Sequence, residues 1–232
     1  MIEQIKTELK ILANPSKIPV YQNFFKTGKG QYGEGDIFIG VTVPNTRKIA
    51  VKYKDAPLKL VKKLIESKIH EERLLGVLIL VQKYQKTKDN KIFQFYKKYN
   101  KKINNWDLVD LSADKIVGDY YFHNKDKIKD LYKLTKSDNL WERRTAIVST
   151  FYFIKNNEFE PTISIAEILL DDKHDLIHKA VGWMLREIGK RDKKALENFL
   201  KEHYKKMPRT TLRYAIERFP ENEKKIYLKS KT

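Results

Sequence analysis

Apolar positions recur three and four residues apart along almost the whole chain, the spacing that lines side chains up on one face of an α-helix. The pattern predicts helices near 2–13, 16–27, 45–54, 57–67, 70–85, 89–98, 105–121, 125–135, 139–155, 161–170, 175–191, 193–203 and 209–218. Pro44, Pro57 and Pro208 stand at helix starts, where a missing N–H costs little. Strand-like alternation is confined to Ile37-Phe38-Ile39-Gly40-Val41-Thr42-Val43, which is short and reads as an extended loop. The expected fold class is all-α.

Long and short helices alternate, which suggests antiparallel pairs. The long ones superpose: Glu72-Arg73-Leu74, Leu108-Val109-Asp110, Arg143-Arg144-Thr145 and His178-Lys179-Ala180 fall 36, 35 and 35 residues apart. A period of that length with two helices per unit belongs to HEAT-like and TPR-like repeats. Such units bury their apolar faces only by stacking, and the expected result is an α-solenoid with a concave surface. No linker divides the chain, so residues 1–232 are expected to form a single domain.

Charge narrows the choice of partner. Forty-eight basic against thirty acidic residues leave a net charge of +18. Self-repulsion of that size favours a polyanionic partner, and nucleic acid is the commonest one. The chain has no cysteine, which excludes disulfides, thiolate metal sites and a cysteine nucleophile. The start of the chain is amphipathic without an apolar signal core, and no apolar run is long enough to cross a bilayer. A cytoplasmic, nucleoid-associated monomer without an obligate protein partner or membrane contact is expected.

Four residues stand out when each helix is drawn at about 100° per residue. Arg144 sits in the middle of an apolar arc formed by Leu140, Ile147, Val148 and Phe151, so its guanidinium needs an anion. That anion is either a phosphate, which suits the planar fork, or an internal carboxylate such as Asp110. Trp106 and Asp110 are four apart on one helix and therefore neighbours. Trp106 shares an arc with Val109, Ala113 and Val117, where a core tryptophan is the ordinary expectation; a carboxylate beside an indole at the margin of that arc is less ordinary and suits stabilising a cation or holding water. Trp183 projects away from the arc of Ile177, Ala180, Val181, Met184 and Ile188, toward Lys179 and Arg186. There it suits stacking on a sugar or base, or else packing on the next repeat. Two motifs are set aside. Gly28-Lys29-Gly30-Gln31-Tyr32-Gly33 spells GxGxxG but follows a helix and opens none. His174 and His178 have the spacing of a metal pair but lack a third ligand, so no metal is expected.

Several stretches together resemble one family. Asn105-Trp106-Asp107-Leu108-Val109-Asp110, Leu140-Trp141-Glu142-Arg143-Arg144-Thr145-Ala146-Ile147 and Lys179-Ala180-Val181-Gly182-Trp183-Met184-Leu185-Arg186-Glu187 look like core motifs of the DNA alkylation repair family, the HEAT-like alkylpurine DNA glycosylases. Gly35 to Arg47 and Met207 to Glu217 are similar to it as well.

The resemblance implies a monofunctional, metal- and cofactor-free glycosylase that releases N7-alkylguanine or N3-alkyladenine from double-stranded DNA. Trp106, Asp110, Arg144 and Trp183 fall on the family's functional positions, and Tyr21 on an N-terminal aromatic. Arg73, Arg143, Lys179, Arg186, Arg209 and Arg213 are the expected DNA-binding cations. The Gly-rich insert at 28–35 departs from the shortest members. Two other readings stand beside this one: a non-catalytic module for damaged or branched DNA, and a HEAT-type protein scaffold.

Overall fold

The computed structural model describes residues 1–229, and its contacts cluster into two compact units, Met1–Ile116 and a second from Val117 onward. Both are built of HEAT-like antiparallel helix pairs, and the fold is all-α.

The first unit contains α1 (Ile2–Ile11), α2 (Ile18–Phe24), α3 (Val43–Lys52), α4 (Leu58–Ile65), α5 (His70–Thr87), α6 (Asn90–Tyr99) and α7 (Trp106–Ala113). Helix α5 is its axis. Every residue from His70 to Val81 is buried, because α5 packs against α3, α4, α6 and α7. Helix α4 shows how the pattern directs this: Leu60, Val61, Leu64 and Ile65 form its buried stripe, while Lys59 and Lys63 stay exposed. Fully burying each such side chain stabilises the unit by about 1.5–3 kcal/mol. Local chemistry starts the helices. Asp89 accepts the Lys91 N–H at 2.8 Å, and Asn105 accepts the Trp106 N–H at 2.8 Å, each satisfying a donor that the first turn leaves orphaned.

The second unit contains α8 (Asp119–His123), α9 (Lys129–Leu134), α10 (Leu140–Ser149), α11 (Phe151–Lys155), α12 (Glu160–Leu169), α13 (Asp175–Gly189), α14 (Lys193–His203), α15 (Arg209–Ala215) and α16 (Glu221–Lys229). Its axis is α13, which packs against α10, α12, α14 and α15. The α13–α15 approach depends on Gly182. A Cβ there would lie 2.5 Å from the Tyr214 Cβ and 2.6 Å from the Thr211 carbonyl oxygen.

Three departures from the periodic pattern have a physical reason in the chain. The run at 105–121 is split by a π-turn, Asp114–Gly118, and the run at 139–155 is broken at Thr150, whose hydroxyl bonds the Ile147 carbonyl. Helix α16 was not anticipated: none of its residues is buried, so it carries no apolar stripe to read. Residues 37–43 begin as extended chain, and no strand forms among the described residues. Ile37 makes one bridge to Ile69, with the Ile37 N–H donating to Lys68 O at 3.3 Å and the His70 N–H to Ile37 O at 2.8 Å.

Candidate nucleic-acid interface

The first unit holds a cleft of about 820 Å³ lined by a cluster of rings together with aliphatic and polar side chains. Tyr21 and Phe24 come from α2, Phe25 from its end, Phe38 from the extended segment, and Trp106 and Asp110 from α7. Trp106 and Asp110 share the wall because they stand one helical turn apart. Phe25 stacks on the Trp106 indole, 5.3 Å between centroids and 18° between planes, while Phe24 meets it edge-on at 5.4 Å. Phe38 continues the stack against Phe25 at 5.0 Å, and Tyr21 closes edge-on against Phe38 at 5.9 Å. The expectation of a core tryptophan therefore gives way. Val109 and Ala113 are buried as their arc requires, but Trp106, the first residue of α7, is half-buried at the cleft. Burial, and then the Glu71 charge, push the Tyr21 phenol up, so it stays neutral.

Behind the rings lies an ionic network that the periodicity did not foretell. His70 opens α5 with its ring buried, Nδ1 at 3.2 Å from Asp36 Oδ2 and Nε2 at 2.8 Å from Asp107 Oδ2. Arg73 donates from Nη2 to the other oxygen of Asp36 at 2.6 Å, and Asn105 donates to Asp36 at 3.1 Å. Burial alone would lower the His70 pKa, but the Asp107 charge and the bonds to both carboxylates lift it to about 9. Burial likewise opposes ionisation of Asp36, yet the His70 bond and the Arg73 charge hold its carboxyl below the ordinary value. Next to His70, the buried Glu71 carboxylate accepts the N–H groups of Ile39, Gly40 and Val41 at 2.8–3.2 Å. The extended segment is thus pinned by charge-assisted bonds, and Gly40 (φ 83°) allows its turn. None of these partners is near in sequence. The available signal was an aspartate and a histidine at helix and loop ends, which carries no periodicity.

The remaining expected residues divide between the two units. Arg73 in the first and Arg143 in the second, both expected to contact DNA, are each turned onto their own chain. They stand four residues past the N-caps of α5 and α10, Ile69 and Asn139. Arg73 Nη1 donates to the carbonyls of Ser67 and Lys68 at 3.1 and 3.3 Å, and Arg143 Nη1 to those of Ser137 and Asp138 at 2.8 and 3.1 Å. Each also grips an aspartate at 2.6 Å, Asp36 or Asp172. His178 holds the same place in α13 and bonds the Asp172 carbonyl. This is a repeat-level fastening: a donor in the first turns of a long helix ties down the loop before it. The next residue along points differently. In α5 and α7 it is Leu74 and Asp110, both lining the cleft; in α10 and α13 it is Arg144 and Lys179.

Arg144 is 5% exposed and donates from Nη1 to Leu176 O at 2.5 Å. Trp183 is half-buried, off the buried face of α13 as its arc requires, with Phe151 tilted against it at 5.9 Å. Lys179 pairs with Asp175 at 2.7 Å, and Arg186 pairs with Glu217. Arg209 is exposed and reaches Leu228 O at 3.1 Å, while Arg213 is exposed in a depression shared with Lys179 and Tyr214. His174 Nδ1 accepts the Leu176 N–H at 3.1 Å, so its ring caps α13. Among the described residues, no cluster of His, Asp and Glu is placed to hold a metal, and no helix is long and apolar enough to cross a membrane.

The family described as DNA alkylation repair enzyme matches residues 5–219. The structure is similar to a predicted DNA alkylation repair enzyme from Enterococcus faecalis, with a TM-score of 0.71 and 17% identity over 90% of this chain and 97% of that one. It is also similar to AlkD2 from Streptococcus mutans, with a TM-score of 0.58 and 19% identity over 89% of this chain and 98% of that one. No curated protein matches the chain.

Proposed function

Because the chain belongs to the DNA alkylation repair enzyme family, we propose that it is a glycosylase that hydrolyses the bond between deoxyribose and a cationic alkylated purine, N7-alkylguanine or N3-alkyladenine, in duplex DNA. The observation that carries this reading is the pairing of Asp110 with the Trp106 indole in one aromatic cleft.

The chemistry asks for little else. An alkylated purine already bears a positive charge, so it departs as a neutral base without a strong general acid. Bond breaking transfers positive charge to the sugar, as in other glycoside hydrolyses. The electron-rich face of Trp106 attracts that charge, and the Asp110 carboxylate stabilises it and orients the water that attacks the anomeric carbon. The water's second proton passes to solvent or to the carboxylate. Tyr21 and Phe24 extend the apolar wall of the cleft. In the second unit Arg144 takes a backbone phosphate in exchange for its bond to the Leu176 carbonyl and Trp183 stacks on the DNA, with Lys179, Arg186, Arg209 and Arg213 adding positive charge. Lys179 and Arg186 exchange their acidic partners for phosphate on binding, which weakens their net contribution. The reading requires neither a metal nor a cofactor.

The test is single-turnover release of N7-methylguanine from an alkylated duplex under saturating enzyme. Asp110→Asn keeps the side-chain shape and removes the charge. It is expected to slow release by at least about tenfold, about 1.4 kcal/mol of transition-state stabilisation, with DNA affinity kept. Equal rates for the two proteins would remove Asp110 from the mechanism, and tight binding by wild type with no base released would leave a non-catalytic DNA-binding module instead.

A further inference from the structure

We propose that His70 is the positioning residue of the aromatic cleft: its two ring nitrogens tie Asp36, in the loop, to Asp107, at the start of α7, and so fix where Trp106 and Asp110 stand.

The two carboxylate contacts favour the charged ring over the neutral tautomer, whose Nδ1 would accept from Arg73 Nη2 across the longer 3.4 Å. Both nitrogens face carboxylate oxygens, at 3.2 and 2.8 Å. A neutral imidazole has one N–H and can satisfy only one of them; the imidazolium satisfies both. Charge agrees with geometry. The groups facing the ring are Asp36 from the loop, Asp107 from α7, and Arg73 from its own helix, with Arg73 Nη2 3.4 Å from Nδ1. Two carboxylates against one guanidinium and one imidazolium sum to zero. Glu71, the neighbouring acid, is held separately by backbone N–H groups. Loss of the His70 proton leaves a buried surplus of negative charge, which is costly.

The position of α7 depends on this ring in two ways. The first is through Asp107, which lies between Trp106 and Asp110 on the helix. Its Oδ1 is buried without a hydrogen-bond partner among the described residues, so the His70 bond to Oδ2 is what anchors the carboxylate. The second is through ring stacking. His70 packs on Phe38 at 4.6 Å and on Phe25 at 4.9 Å, and Phe25 in turn stacks on the Trp106 indole. Asn105 adds a parallel tie, donating to Asp36 and accepting the Trp106 N–H. His70 therefore acts on the cleft through its neighbours and need not touch DNA.

The consequence for rate rests on the glycosylase reading, but the positioning itself does not, and the experiment separates them. The protein is labelled with 5-fluorotryptophan, and the fluorine signals of Trp106, Trp141 and Trp183 are assigned by single replacements with Phe. The Trp106 signal is expected to shift as pH rises through about 9, to be displaced in His70→Gln already at neutral pH, and to be insensitive to pH in that variant. The Trp183 signal is expected to stay put. Base release by His70→Gln is expected to fall about tenfold or more, with duplex affinity changed by less than about threefold. Should His70→Gln fail to fold, Asp107→Asn removes the same anchor with almost no change in volume and is expected to displace the Trp106 signal likewise. A Trp106 signal that is stationary with pH in wild type and undisplaced in the folded variants would overturn the proposal. If wild type releases no base, the glycosylase reading fails while the fluorine titration still decides the role of His70.

Discussion

Raising the pH should weaken this fold through His70 in a window that the structure defines. The ring is held at about 9 against an ordinary value of 6.5. A group whose folded pKa is raised contributes stability that is fully present below the unfolded value and is lost as pH climbs through the folded one. The contribution is therefore whole below about pH 6.5, declines across the interval, and is gone a little above about pH 9. At about 1.4 kcal/mol per pKa unit the span corresponds to about 3 kcal/mol, a large share of the roughly 5–15 kcal/mol that stabilises a typical domain. Asp36 has the opposite sign: its lowered pKa protects the fold above the ordinary carboxylate range and loses that effect only as pH falls through it. The assay is urea denaturation at a series of pH values, comparing wild type with His70→Gln. Titrations common to both proteins cancel in the difference. The wild-type excess in unfolding free energy should shrink by about 3 kcal/mol between about pH 6.5 and 9. Parallel stability curves for the two proteins would refute the imidazolium assignment.

Four further outcomes follow from packing and charge. Glu71→Gln replaces one oxygen of a carboxylate that accepts three backbone N–H groups with a donor; it should cost about 2–3 kcal/mol in urea unfolding, and an unchanged midpoint would show that the segment at 39–41 is held by other contacts. Gly182→Ala puts a methyl group 2.5 Å from the Tyr214 Cβ, so α13 and α15 must separate; a loss of about 1–3 kcal/mol is expected by thermal melting, and wild-type stability would contradict the close approach. Duplex binding should weaken with salt at about −0.9 in log–log slope per neutralised phosphate, with Arg213→Ala making the slope shallower by about one. Arg143→Ala should lower stability yet leave that slope unchanged, since its guanidinium is spent on Asp172 and two carbonyls; a shallower slope for this variant would return Arg143 to the DNA-binding set.

What could be read from the chain alone is what local geometry determines. A helix places residues three and four apart together whatever surrounds it, so the repeat period, the buried stripe of α4 and the pairing of Trp106 with Asp110 were all legible. The side of α13 from which Trp183 projects was legible for the same reason. Helix α16 escaped because an exposed helix has no apolar stripe, and the π-turn after α7 escaped because one extra residue per turn barely disturbs a periodic pattern. The roles of adjacent arginines were beyond the sequence. Arg143 and Arg144 differ by one step of about 100°, and only the fold of the preceding loop sends the first back to Ser137 and Asp138 while the second reaches Leu176. The tertiary structure alone decided the ionic network as well. Asp36 meets His70, Arg73 and Asn105 across 34, 37 and 69 residues of chain. No periodicity links positions so far apart, since closing those loops depends on burial of the apolar faces of α5 and α7, and only then does Coulomb attraction in a water-poor interior select which charges pair.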